Sequence, residues 1–352
     1  MSARDSTLLQ CRAEQWHMED NMSSVSMLHR VYTTKLTDQT ELDKRGDLLK
    51  GLSLNVSRAL FSGGNTGTTT AFNDFEGYSS INNVRFFYSN KMFHELYGEE
   101  LYRKYLQRFT EEQRVGIAAL QFGNKTDAQR VANTAASQWT VDLMVPWDKL
   151  KKSIPMLAMP NKIRVEVNYN TLAQSMRDSA SVTCSITAAK LRCNYVHLLH
   201  DNRKIKYNQV HTGAGVGIKT VTSEYHMREA LAQQSVTATR TTTRLRNIKN
   251  SVIALHHIIR LVSNVDTTAT LDLWNFLAAD RFWLNDNGSQ ITVKTEWNEA
   301  AFNQWGINYD NIKMYPKMQP GYQIGSLAFC EPELVEASDD DCFGSRTIGK
   351  YK

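Results

Sequence analysis

Hydrophobic and polar residues alternate with period two through much of the chain, the pattern of strands buried on one face. Between Trp139 and Trp147, the residues Trp139, Val141, Leu143, Val145 and Trp147 share one face, with Thr140 and Asp142 on the other. From Ile163 to Tyr169, Ile163, Val165, Val167 and Tyr169 alternate with Arg164, Glu166 and Asn168. The same pattern predicts strands within Gly51–Phe61, Lys190–Leu199, Ser251–Val262, Ile291–Trp297 and Gly325–Cys330. In the Thr- and Val-rich stretch Ser235–Arg246, it puts Arg240, Arg244 and Arg246 on one strand face. Asp38–Asp47 reads as a charged loop.

Helical periodicity is rarer. Leu101, Tyr102, Tyr105, Leu106 and Phe109 form one helical stripe, with Glu99 and Glu100 near its start, where the macrodipole favours acids. A second short helix is expected over Glu224–Gln233, capped by Ser223. Gly63–Gly64, Gly213–Gly217 and Asn285–Gly288 are turn signals. Many strands, few helices and no long repeat predict an all-β sandwich or barrel. Each half runs strands, one short helix, then more strands, which suggests two similar sandwiches in tandem with a boundary near Ala173–Ser181.

Composition narrows this picture. Of 352 residues, 41% are hydrophobic and 22% charged, as in an ordinary globular protein and unlike a disordered one. The net charge of +5 is too mild to demand nucleic acid as a partner. The charge allows Arg240, Arg244, Arg246 and Lys249 to contact nucleic acid, which would weaken steeply with salt, but an isolated basic strand face is more often solvated or paired with acids of a neighbouring copy. No apolar run is long enough for a membrane span, and Met1–Met22 has no apolar signal core, so folding in the cytoplasm or nucleus is expected. Cys11, Cys184, Cys193, Cys330 and Cys342 form no CxxC pair, which argues against a disulfide framework or a zinc knuckle.

The residues offer little catalytic chemistry. His256 and His257 are adjacent in an apolar strand and face opposite ways, so they do not build one metal site. His197, His200 and Asp201 sit at a strand end without ligand geometry. Gly213–Gly217 with Lys219 lacks phosphate-loop spacing, and Asp339–Asp341 reads as a solvated turn. No GxSxG elbow or HExxH helix occurs. No enzyme activity, catalytic residue, cofactor, metal or small-molecule substrate is therefore expected.

Four segments, in order, carry a resemblance. The first is Ile81-Asn82-Asn83-Val84 through Phe93 to Leu96-Tyr97-Gly98-Glu99-Glu100-Leu101, followed by Thr110–Arg114. Next come Val145-Pro146-Trp147, Ser153–Met159 and Ile163–Val167. Then follow Leu191–Tyr195 with Val196, Leu198, Asp201 and Arg203. Last are Gly325–Glu333 and Phe343–Arg346. Together they resemble the double jelly-roll major capsid proteins of the adenovirus–tectivirus lineage, especially those of nucleocytoplasmic large DNA viruses and polinton-like viruses. In that likeness Leu191–Tyr195 corresponds to the opening of the second barrel. Residues 1–60 match poorly, and Ala337-Ser338-Asp339-Asp340 replaces a family element.

The resemblance implies an all-β chain of two tandem eight-stranded jelly-roll β-sandwiches with short helices in loops. It divides the sequence into an N-terminal segment (1–24), a first jelly roll (25–175) and a second (176–352). It further implies a major capsid protein that self-assembles as pseudo-hexagonal homotrimeric capsomers into an icosahedral DNA-virus shell. The expected location is the virion, after assembly in the host cytoplasm or nucleus. Expected partners are the chain itself, neighbouring capsomers, minor capsid or penton proteins, and an internal membrane or the genome at the inner face. Trp305, Tyr309, Tyr315 and Tyr322, aromatics lying between predicted strands, are the candidates for the capsomer interface. The alternative is a β-sandwich glycan-binding or attachment protein. A cupin-like metal enzyme would need a His/carboxylate cluster that the sequence does not offer.

Overall fold

The computed structural model describes residues 20–27, most of 36–198, and short strand segments between 251 and 347. The first part runs β1 (Asp20–Met27), β2 (Leu36–Glu41), β3 (Leu48–Arg58), β4 (Ala71–Phe72), α1 (Glu76–Ser79), β5 (Ile81–Tyr88) and β6 (Lys91–Tyr97). It continues with α2 (Gly98–Arg108), α3 (Glu111–Leu120), β7 (Ser137–Asp142), β8 (Ile163–Tyr169), α4 (Leu172–Ser175), β9 (Met176–Asp178) and β10 (Ile186–Val196).

The long strands form two antiparallel four-stranded sheets, ordered β1-β10-β3-β7 and β2-β8-β5-β6. Within these sheets only β5 and β6 are consecutive neighbours; every other step along the chain crosses from one sheet to the other. That is jelly-roll connectivity. The inner faces pack into one core. Leu52, Leu54, Val56, Trp139, Val141, Leu191, Cys193 and Tyr195 come from one sheet, and Val84, Phe86, Leu96, Ile163, Val165 and Val167 from the other.

Two bulges keep the apolar residues on the inner face. Asn194 pairs with Gly51 but Tyr195 with Leu49, so Lys50 is an extra residue in β3. Leu49 and Leu52, three apart, are thereby both buried. A similar register shift between Ile81 and Asn83 turns Ile81 and Val84 inward together.

Several expectations hold and several need correction. The strand Ile163–Tyr169 has the predicted strict alternation of buried and half-buried positions. The helix stripe from Leu101 to Leu106 lies on α2, with Glu99 and Glu100 in its first turn, whereas Phe109 follows the helix end in an extended conformation. The strand expected over Trp139–Trp147 ends at Asp142. There the Met144 amide donates to Asp142 Oδ1 at 3.0 Å and Met144 takes a left-handed φ of 42°. Leu143, Val145 and Trp147 are buried all the same. Part of the expected loop Asp38–Asp47 is strand, because β2 extends to Glu41 and pairs with β8. Among the described residues it is an edge strand, paired with β8 alone, and so tolerates a polar sequence.

β10, which lies beyond the expected 175/176 boundary, is hydrogen-bonded between β1 and β3. The expected 24/25 boundary falls inside β1. A jelly roll places its last strand beside its first, and alternation along the chain carries no trace of that pairing.

The remaining described segments form short antiparallel pairs. β11 (Ser251–Val252) pairs with β18 (Arg346–Thr347), and β12 (Ala254–His257) with β17 (Gly325–Ala328). β13 (Arg281–Phe282) pairs with β16 (Thr295–Glu296). β14 (Asn285–Asp286) pairs with β15 (Ser289–Gln290), so the first half of the turn predicted over Asn285–Gly288 is strand, with Asn287-Gly288 between the pair. β11 and β12 fall within the predicted strand Ser251–Val262, β16 within Ile291–Trp297 and β17 within Gly325–Cys330; β13, β14, β15 and β18 lie outside the predicted strands. The expected helix Glu224–Gln233, the strand Ser235–Arg246 with its arginines, and the Gly213–Gly217 and Asp339–Asp341 segments lie outside the described residues.

Candidate functional site

Trp305, Tyr309, Tyr315 and Tyr322 also lie outside the described residues. His256 and His257 stand in β12 opposite Ser326 and Gly325. His197 follows the end of β10, while His200 and Asp201 are outside the described residues. Among the described residues there is no group of three or more His, Cys, Asp or Glu side chains able to hold a metal, and no helix long and apolar enough to cross a membrane. Cys184 and Cys193 are free and buried, and burial pushes each thiol up to about 11, so neither is a ready nucleophile.

Helices α1–α3 and a group of aromatics cap the strands β5, β6 and β7. The Phe75 ring lies 4.9 Å from Tyr102 and 5.4 Å from Tyr105, and Tyr78 is 5.8 Å from Tyr105. Phe75 itself is left-handed at φ 55°, a costly conformation for an aromatic residue. The Tyr105 hydroxyl donates to Arg114 O at 2.9 Å, tying α2 to α3. Gly98, which opens α2, has no substitute here. A Cβ would lie 2.3 Å from Tyr78 O and 2.4 Å from Ile81 O, both backbone atoms. The glycine of the Leu96–Leu101 motif is thus required by close packing of α2 on α1 and the start of β5.

Beneath that cap sits a buried ion pair that sequence reasoning missed. Arg58 Nε donates to Glu76 Oε1 at 2.6 Å and Arg58 Nη2 to Glu76 Oε2 at 3.4 Å. Both side chains are 1% exposed. Burial pushes the Glu76 carboxyl up, opposed by the attraction of Arg58. A signal for it was present. Arg58 continues the inward row Leu52, Leu54, Val56, so an arginine stands at a core position.

The outer faces of the two sheets differ in chemistry. On the β3–β7 side neutral groups meet: Asn55 Nδ2 donates to Thr140 Oγ1 at 2.8 Å, and Gln138 Nε2 to Asn55 Oδ1 at 2.5 Å. On the β5–β6–β8 side the contacts are charged. Arg85 Nε donates to Glu95 Oε1 at 2.8 Å, and Arg85 Nη1 lies 3.6 Å from Glu166 Oε1. Asn83 Nδ2 donates to Glu95 Oε1 at 3.0 Å, and Arg164 stands 4.4 Å over the Phe87 ring. The free edge at β7 is covered where Gln121 Nε2 donates to Thr140 O. On α3, Val115 and Leu120 are exposed apolar residues beside exposed Gly116 and Ala119.

The described sheets present polar outer faces over a buried apolar core. No family model and no curated protein matches the chain. Solved structures do. The chain is similar to the PBCV-1 virus capsid, at 13% identity over 93% of this chain and 81% of that one, with a TM-score of 0.55. It is similar to the Faustovirus major capsid protein, at 9% identity over 93% and 85%, with a TM-score of 0.50. A structure of the Sputnik virophage matches at 10% identity over 94% and 80%, with a TM-score of 0.50. These are double jelly-roll major capsid proteins, and the likeness spans nearly the whole chain. The chain has their fold: it is a strand-rich, antiparallel double jelly roll.

Proposed function

We propose that this chain is a structural protein of a viral capsid, one that associates with copies of itself to build the shell. The observation that carries the reading is the likeness to capsid proteins across 93% of the chain, in the fold as a whole and not in one motif. The Arg58 guanidinium and the Glu76 carboxylate are enclosed within the core, which suits support better than catalysis. The proposed unit of assembly is a homotrimeric, pseudo-hexagonal capsomer in an icosahedral shell of a DNA virus. Its proposed partners are neighbouring capsomers, minor capsid or penton proteins, and a membrane or genome on the inner side. The first roll is proposed to run from β1 to β10 and the second to occupy the residues beyond it.

Light scattering after size exclusion, with negative-stain microscopy of the main peak, tests the reading. The expected result is a mass three times the chain's 40.1 kDa and hexagon-like particles. A monomer that never assembles, even when concentrated, would remove the capsomer proposal. Trp305, Tyr309, Tyr315 and Tyr322 are proposed to pack between subunits. Substituting Trp305 and Tyr309 with Ala should give a folded monomer, and variants that still trimerise would refute that assignment.

A further inference from the structure

The loop Leu42–Asp47, between β2 and β3, joins parts of the chain far apart in sequence. The Leu42 amide donates to Ile163 O at 2.8 Å, and Lys44 Nζ donates to the carbonyls of Met159 and, at 2.9 Å, Pro160. Lys162 Nζ lies 3.8 Å from Asp43 Oδ1. The same loop also grips the end of β10. The Tyr195 hydroxyl donates to Asp43 O, and the Asp47 amide donates to Val196 O at 3.1 Å. Gly46 is pressed against the same strand, since a Cβ there would lie 2.4 Å from Tyr195 Cβ.

A further contact reaches past the sheet. The Leu198 amide donates to Asp47 Oδ2 at 2.8 Å. Strand pairing of β10 stops at Val196, opposite Leu48 on one side and Asp20 on the other. Tyr195 and Val196 already hold the strand end, so the Leu198 bond is not needed to keep β10 in its sheet. It fixes the backbone two residues further on, at the point where the chain leaves the first roll. Asp47 is 7% exposed, and a hydrogen bond to a buried carboxylate is stronger than one between neutral groups.

We propose that Asp47 is a positioning residue for the chain's exit: its carboxylate holds the Leu198 amide and thereby sets the direction in which the remainder of the chain departs. The proposal rests on the double jelly-roll fold and not on capsid assembly. An anchored exit gives every copy the same relation between its two parts.

Hydrogen exchange and small-angle scattering on the full chain at dilute concentration test it. Asp47→Ala should speed exchange at the Leu198 amide about tenfold or more, the loss of one charge-assisted bond. Exchange within β10 should stay near wild type, and the scattering profile should broaden. Asp47→Asn keeps an acceptor oxygen and should restore both readouts most of the way. If Asp47→Ala does not fold, Leu198→Pro removes the donor while leaving Asp47 in place and should broaden the scattering in the same way. Wild-type scattering in either variant overturns the proposal, and so does equally faster exchange throughout β10, which would make Asp47 a sheet residue only. A wild-type chain that fails to trimerise would defeat the capsid reading and leave these readouts intact.

Discussion

Arg58 and Arg85 are both strand arginines paired with a glutamate at hydrogen-bonding distance, yet they do different work. Arg58 and Glu76 are 1% exposed each, whereas the Arg85 side chain is 40% exposed and that of Glu95 13%. Water screens the second pair and can replace either partner, so the contact is worth little. The first pair has no such substitute. Removing one member strands a charge in the core, while removing both leaves a space that apolar atoms can fill. Geometry is similar in the two places, and solvation decides what each contributes.

The largest expected effect follows directly. Arg58→Ala should cost about 3–5 kcal/mol in a denaturant titration, because Glu76 remains buried without its partner. The double variant Arg58→Met, Glu76→Leu should recover wild-type stability or exceed it. A double variant as unstable as the single one would mean that the pair supplies net stability and not only fit.

A second expectation concerns other buried titratable groups. The thiols of Cys184 and Cys193 are raised from 9.0 to about 11 by burial. Their raised folded-state values make the contribution whole below about pH 9. It is lost between pH 9 and 11, where the unfolded chain gives up its protons first. Burial also raises the Tyr78 hydroxyl, which acts in the same direction at higher pH. The urea midpoint should therefore fall over that window, and Cys184→Ala with Cys193→Ala should make the fall shallower. An unchanged slope would show that these thiols ionise freely in the fold.

Smaller effects should appear on the outer face. Arg85→Ala should cost about 0.2–1 kcal/mol and lose even that at high salt. A loss as large as that of Arg58→Ala would erase the distinction between the pairs. Least of all, Val115→Thr with Leu120→Thr on the exposed side of α3 should stay within about 0.5 kcal/mol per site in thermal unfolding of the isolated chain.

How much of this was legible in the sequence varies with the range of the interaction. Period-two alternation located the Ile163–Tyr169 strand residue by residue, because a strand with one face in the core must alternate. The buried row Trp139, Val141, Leu143, Val145 and Trp147 was also correct, though the strand itself stops at Asp142. A side-chain turn at Asp142 and Met144 breaks the ladder without changing which residues face inward, so hydrophobicity alone could not reveal it. β2 was hidden for a different reason. Its sequence, LTDQTE, has almost no apolar content, and partnership with β8 makes it a strand.

The sequence by itself determined the all-β character, the position of α2 and most of the inward-facing residues, since these depend on local periodicity and on the removal of apolar surface from water. Tertiary structure decided which strands are neighbours. It set β10 between β1 and β3, paired Arg58 with Glu76 across 18 residues, and brought Asp47 to Leu198 across 151. Those contacts are closed by the path of the whole chain between two sheets. Each depends on loop closure and mutual packing, and no window of neighbouring residues contains that information.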